Sequence, residues 1–154
     1  MKAVLWFGGL MAIFGAIIAF QLMHFGDLTS SVAVLGPAYT VTLDGATVHV
    51  MLARTPAEQE RGLGGRDSLA VDQGMLFVFP KDGEYAFWMK DMKFSIDILW
   101  LAQDGTVVYI VPNLSPSTYP QTFGPSKPAR FVLEVPAGFV AAHWVQVGDR
   151  AHLP

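Results

Sequence analysis

The sequence predicts a mainly β protein: a single β-sandwich or barrel domain with one or two short helices, preceded by one N-terminal transmembrane helix. Three observations predict it. Residues 3–23 are an apolar run without a charged side chain. From Tyr39 onward, short apolar or alternating segments recur between Asp-Gly, Gly and Pro turn signals, the pattern of a sandwich or barrel. A length of 154 residues suits one domain with a sizeable core, not two.

The N-terminal run comes first. Ten of residues 3–23 are Leu, Ile, Val or Phe, each contributing about −0.3 to −0.6 kcal/mol to insertion, and about 20 such residues span a bilayer as a helix. The run exceeds the apolar core of a signal peptide, and the bulky Gln21-Leu22-Met23-His24-Phe25 offers no small-residue cleavage site. Residues 1–23 therefore read as an uncleaved, single-pass anchor in the cytoplasmic (inner) membrane. Lys2 and the α-amino group precede it, while His24 and Asp27 follow, which places the remainder in the periplasm or exterior. Membrane lipid is one expected partner. Gly8, Ala12, Gly15 and Ala19 recur at three- to four-residue spacing and form a shallow helix face on which an integral-membrane protein could pack.

Residues 24–37, with Gly26, Ser30, Ser31, Gly36 and Pro37, read as a linker to a domain at 38–154. Residues 39–43 and 47–52 alternate around Asp44-Gly45, a dipeptide that tolerates the positive φ angles of a tight hairpin. Thr55-Pro56-Ala57-Glu58 is a capped helix start, which Gly62 ends. Strands are expected at 74–80, 85–90, 96–101 and 106–111, the last two joined around Asp104-Gly105. Five prolines between 112 and 128 read as a long surface loop. Residues 130–135 resume the sheet, 137–145 read as a second short helix, and 147–151 as a closing turn and strand.

Composition excludes some chemistry. There is no cysteine, hence no disulfide or thiolate. From His24 onward nine Lys or Arg face all 13 Asp or Glu, a net of −4, with no basic stripe for nucleic acid. His49, His143 and His152 are isolated and lack metal-ligand spacing, so neither a metal nor another cofactor is expected. Ser68 and Ser95 lack a nucleophile elbow, and Gly62, Gly64 and Gly65 follow a helix rather than open one, so they form a turn and not a phosphate loop.

The segment Phe87-Trp88-Met89-Lys90-Asp91-Met92-Lys93-Phe94-Ser95-Ile96-Asp97-Ile98 sets charges inside a run of large apolar residues, where each buried charge costs several kcal/mol unless paired. Together with Glu58-Gln59-Glu60-Arg61-Gly62-Leu63, Gly74-Met75-Leu76-Phe77-Val78-Phe79 and Arg130-Phe131-Val132-Leu133-Glu134-Val135-Pro136-Ala137-Gly138, it resembles the signature of the DUF192 family of bacterial and archaeal proteins. The resemblance spans about residues 40–150. It implies a β-rich fold of jelly-roll type, commonly exported or lipid-tethered, with no catalytic residues to carry over. Three positions depart from the pattern: Asp91-Met92 stands where Asn-Thr is usual, Ser95 where Pro is, and Gly64 where Met is common.

Two residue sets are candidates for function. Trp88, Lys90, Asp91 and Asp97, rimmed by Trp100, suit a sugar or cationic ligand, and Asp91 with Asp97 forms a carboxylate pair of the kind hydrolases use. The structural alternative, which is favoured, is a buried Lys90–Asp97 ion pair fixing the register of two strands. Arg61, Arg66 and Glu134 are expected as structural polar residues, an arginine holding the carboxylate bidentately, with an anion site as the other reading. The leading expectation is a non-catalytic, membrane-anchored interaction module, an accessory subunit of a larger integral-membrane complex. A β-sandwich that binds a small, glycan-like polar ligand is the alternative, and a hydrolase using paired Asp the weaker one.

Overall fold

A computed structural model describes residues 39–154. The expected anchor (1–23), its packing face Gly8, Ala12, Gly15 and Ala19, and the linker (24–37) lie outside the described residues. Among those described, no helix is long and apolar enough to cross a membrane.

Strands β1 (Tyr39–Leu43) and β2 (Ala46–Ala53) form the expected hairpin, with Leu43 opposite Ala46. Asp44 and Gly45 alone make the turn, at φ 48° and 78°, the paired positive angles of a type I′ turn. Helix α1 (Pro56–Arg61) begins with a complete capping box: the Glu58 N–H donates to Thr55 Oγ1 at 3.3 Å, and the Thr55 N–H donates to Glu58 Oε2 at 2.9 Å. Strand β3 (Gln73–Gly83) runs parallel to β2, with Val50 opposite Gly74. Parallel neighbours need a crossover of about a dozen residues or more, and residues 54–72 supply it with α1 inside.

Next come β4 (Phe87–Trp88), β5 (Ile96–Leu101), β6 (Val107–Leu114), β7 (Thr122–Phe123), β8 (Ala129–Pro136) and α2 (Phe139–Ala142). Six strands form one mixed sheet in the order β1-β2-β3-β8-β5-β6, and β4 pairs with β7 in a second, two-stranded sheet. The domain is thus mainly β with few short helices, as expected. The expected strand at 85–90 contracts to two residues. The Pro-rich loop is also more ordered than the sequence suggests. Pro112 lies within β6, an edge strand with one neighbour, where a missing N–H is tolerated. Thr122 and Phe123 pair with Trp88 and Phe87.

Each face of the sheet carries its own core. On one face Leu76, Leu99, Leu101, Leu133 and Val135 pack with the β1–β2 hairpin and with Phe139 from α2. On the other, Phe77, Ile96, Ile98, Trp100 and Val132 pack under Leu63 and Met89. Successive strand residues point to opposite faces. Ile98 belongs to the second core and Leu99 to the first, so Asp97 points with Leu99 toward the α2 side.

This parity corrects the expected Lys90–Asp97 pair. Asp97 is fully buried, yet its carboxylate is held by backbone rather than by lysine. Its Oδ1 accepts from the Asn113 N–H at 2.7 Å and the Gly138 N–H at 3.2 Å, and its Oδ2 accepts from the Val140 N–H at 2.8 Å. Gly138 caps α2 but has no side chain to satisfy the helix donors, so Asp97 does so from β5. Lys90 is exposed. The ion pairs among the described residues are Lys93–Asp67 and Arg130–Asp82.

Removing a carboxylate that satisfies three partly buried donors leaves all three to find water, at up to about 1–3 kcal/mol each before relaxation. Asp97→Ala is therefore expected to cost about 3–5 kcal/mol in urea denaturation. Lys90→Met should stay within about 0.5 kcal/mol and should not rescue Asp97→Ala. Rescue by the lysine substitution would restore the ion-pair reading.

Candidate functional site

The second core face opens into a cleft between the end of α1, β3 and the segment 85–92. Its floor is Glu134 on β8, a strand that has β3 on one side and β5 on the other, with Met75 and Ile98 opposite Glu134. The residue is 5% exposed, and its Oε2 has no hydrogen-bond partner. Burial pushes its carboxyl pKa up from 4.5 to about 8, because desolvation disfavours the charged form. At neutral pH Glu134 is therefore mostly a protonated, neutral acid.

The surroundings explain the burial. Gly62 ends α1 at φ 51°, an angle that favours glycine. A Cβ there would meet the Phe77 ring at 3.3 Å and Glu134 Oε2 at 3.9 Å, so the helix end sits close over the carboxyl. Gln59 fastens that end, its Nε2 donating to the Val78 carbonyl at 3.0 Å. The opposite wall is aromatic. Phe87 meets Phe77 edge-on at 4.8 Å and Trp100 at 5.8 Å, and Tyr85 stacks on Phe79 at 3.5 Å. Buried Trp100 donates its indole N–H to the Tyr85 carbonyl at 2.8 Å, holding the segment against the sheet.

The 88–91 turn completes the mouth. Gly65 donates its N–H to the Asp91 carbonyl at 2.9 Å. A Cβ on Gly64 would stand 2.9 Å from the Arg61 carbonyl and 3.4 Å from the Lys90 carbonyl, so the missing side chain permits the close approach. Asp91 has φ 57°, left-handed backbone that short Asn and Asp side chains tolerate best. The Asn-to-Asp departure thus keeps what this backbone position requires. Trp88, 44% exposed, stands at the mouth with Lys90 Nζ 5.8 Å from its ring centroid and Tyr119 edge-on at 5.9 Å. Arg61 lines the same cleft, whose volume is about 190 Å³.

The structure thus gathers Arg61, Trp88, Lys90 and Glu134 from both candidate sets into one cleft. Asp97 is absent from it, on the opposite sheet face. Trp100 is buried beneath the wall rather than at the rim. Arg66 and Asp91 line two wider depressions that adjoin the cleft at Arg61, of about 490 and 470 Å³. The expected Arg–Glu134 bond is not formed: Arg61 and Arg66 are exposed, and neither donates to the carboxylate. Among the described residues no three His, Asp or Glu side chains converge as metal ligands do. Sequence reasoning missed Phe77, Phe79, Tyr85 and Phe87, which read as ordinary core. The available signal was Glu134 itself, one acid in the apolar run of a central strand.

The pKa shift makes a stability prediction. The folded chain keeps the Glu134 proton up to about pH 8, while the unfolded chain releases it near 4.5. Between those values the folded state binds more protons, so stability falls as pH rises, by up to about 1.4 kcal/mol per unit from this group. In urea titrations across that range, Glu134→Gln should remove this part of the slope. Parallel pH profiles for the two proteins would contradict a buried neutral acid.

Comparison with known proteins agrees with the fold. The DUF192 family model, described as "Uncharacterized ACR", matches residues 39–153. The solved structures similar to this chain include two crystal structures from bacteria. A candidate transcription regulator from Sinorhizobium meliloti 1021 is 35% identical with a TM-score of 0.70, the match covering 75% of this chain and 92% of that one. A protein of unknown function from Novosphingobium aromaticivorans DSM 12444 is 29% identical with a TM-score of 0.72, covering 80% and 91%. No curated protein matches. The chain belongs to the DUF192 family.

Proposed function

We propose that this DUF192 member is a membrane-anchored, extracytoplasmic, non-catalytic binding module whose β domain takes a small polar ligand in the Glu134 cleft. One observation carries the reading: a buried carboxyl with an unpartnered oxygen faces a cleft walled by aromatic rings. Buried polar groups are ordinarily satisfied, and an apolar pocket with a few convergent polar groups is the usual form of a small-molecule site. The same geometry favours binding over hydrolysis. Of the two carboxylates a hydrolase would use, Asp97 is sealed from solvent and occupied by backbone donors.

The two-stranded sheet β4–β7 packs Phe87 and Phe123 against the second core, and we read it as the second layer of a small jelly-roll-like sandwich. The accessory-subunit role belongs to the same proposal. The Gly8, Ala12, Gly15 and Ala19 face would seat the anchor on an integral-membrane partner, leaving the cleft to report on or deliver its ligand outside the cytoplasm. Nucleic acid is no part of this reading, since residues 24–154 are net acidic and have no basic stripe.

A thermal-shift screen of the full chain against small sugars, amines and organic acids tests the binding reading. At least one compound should raise the melting temperature of the wild type by about 2 °C or more, a stabilisation of some tenths of a kcal/mol. Trp88→Ala, which removes the mouth of the cleft, should abolish that rise. Compounds that stabilise Trp88→Ala as well as the wild type would place binding elsewhere.

A further inference from the structure

We infer that the ligand of this cleft is a small organic anion: a carboxylate with a flat or apolar body, its charge at Arg61 and Lys90 and a second polar atom reaching Glu134. The inference rests on the binding reading above and names its substrate class. Four observations carry it together.

The charges lining the cleft are uneven. Arg61 and Lys90 are exposed and form no ion pair among the described residues, whose salt bridges join Lys93 to Asp67 and Arg130 to Asp82. Glu60 is the one other charged residue lining the cleft besides Glu134. The second observation is Glu134, 5% exposed and without a hydrogen bond at Oε2. Held as a neutral acid, it presents no negative charge to repel an anion and has an O–H to donate. The third is the wall of Phe77, Phe87 and Trp88, which suits a flat or apolar body. The fourth is size: the aromatic-walled part of the cleft holds about 190 Å³, room for a small molecule.

A cationic ligand fits less well. Lys90 Nζ already stands over the Trp88 ring, so an incoming ammonium would meet a positive charge at the aromatic face that would attract it. It would also require Glu134 to ionise first. The two ligand classes predict opposite responses to pH. An anion that needs protonated Glu134 binds more weakly as pH rises through the carboxyl's pKa, whereas an ammonium binds more tightly over the same range.

The test uses the full chain in detergent with three probes: benzoate, benzylammonium and methyl glucoside, followed by tryptophan fluorescence and thermal shift up to about 20 mM. Benzoate should bind most tightly, and its affinity should fall roughly tenfold between about pH 7 and pH 9, since Glu134 titrates near 8. Glu134→Gln keeps an N–H donor and should bind benzoate with no such pH dependence. The double change Arg61→Gln, Lys90→Gln, at exposed positions, should weaken benzoate at least fivefold while leaving the melting temperature of the unliganded protein unchanged. Tighter binding of benzylammonium, or benzoate affinity indifferent to pH and to the double change, overturns the anion assignment. Methyl glucoside binding alone, lost in Trp88→Ala, overturns it as well and leaves the cleft as a ligand site. If no probe binds, the anion assignment fails, and the broader thermal-shift screen decides the binding reading by itself.

Discussion

The Asp97 carboxylate joins three separate parts of the domain. Its two oxygens take backbone N–H groups from Asn113 on β6 and from Gly138 and Val140 at the start of α2. A four-residue helix has almost no stability of its own, and its capping residue is a glycine that brings no side chain. The first turn is therefore satisfied from the neighbouring strand. Once α2 is pinned, Phe139 packs into the core on that face together with Val145, and the sheet is closed on one side. The other face is then left to the α1 loop and the aromatic segment, which form the cleft.

The two buried acids have opposite fates for one physical reason. Asp97 has three backbone donors aimed at it, so its buried oxygens are satisfied. Glu134 lies mid-sheet on β8, where the neighbouring backbone groups are committed to β3 and β5. With no donor left over, desolvation alone acts on its carboxyl and raises its pKa. A carboxyl kept neutral beneath an opening to solvent is costly as pure architecture. Such perturbed groups concentrate at functional sites, which is why the cleft, and not the fully satisfied Asp97, carries the functional reading.

What the sequence made legible was local. The Asp44-Gly45 hairpin, the Thr55–Glu58 capping box and the apolar strands at 74–80, 96–101 and 130–135 each follow from residues adjacent in the chain, and the family signature placed them in one fold. The parallel pairing of β2 with β3 was not legible, because α1 looks the same whether it crosses over a sheet or ends a hairpin. The partners of Asp97 were hidden for a different reason. They are backbone N–H groups, which leave no trace in residue identity, and a lysine seven residues away was the nearest visible counter-charge. The left-handed turn at Asp91 then sends Lys90 outward, over Trp88. Glu134 was singled out correctly as a polar residue in an apolar strand but was given an arginine it does not have. Arg61 ends a helix whose last turn is held over the sheet by Gln59 and Gly62, so its guanidinium is left at the mouth.

The ionisation state of Glu134 underlies the site, and it is directly measurable. Titration of the Glu134 side-chain carboxyl carbon by NMR in the isotopically labelled full chain should give a midpoint of about 8. A midpoint near the ordinary 4.5 would mean that water or a cationic partner reaches the carboxyl, and would contradict a buried neutral acid at the floor of the cleft.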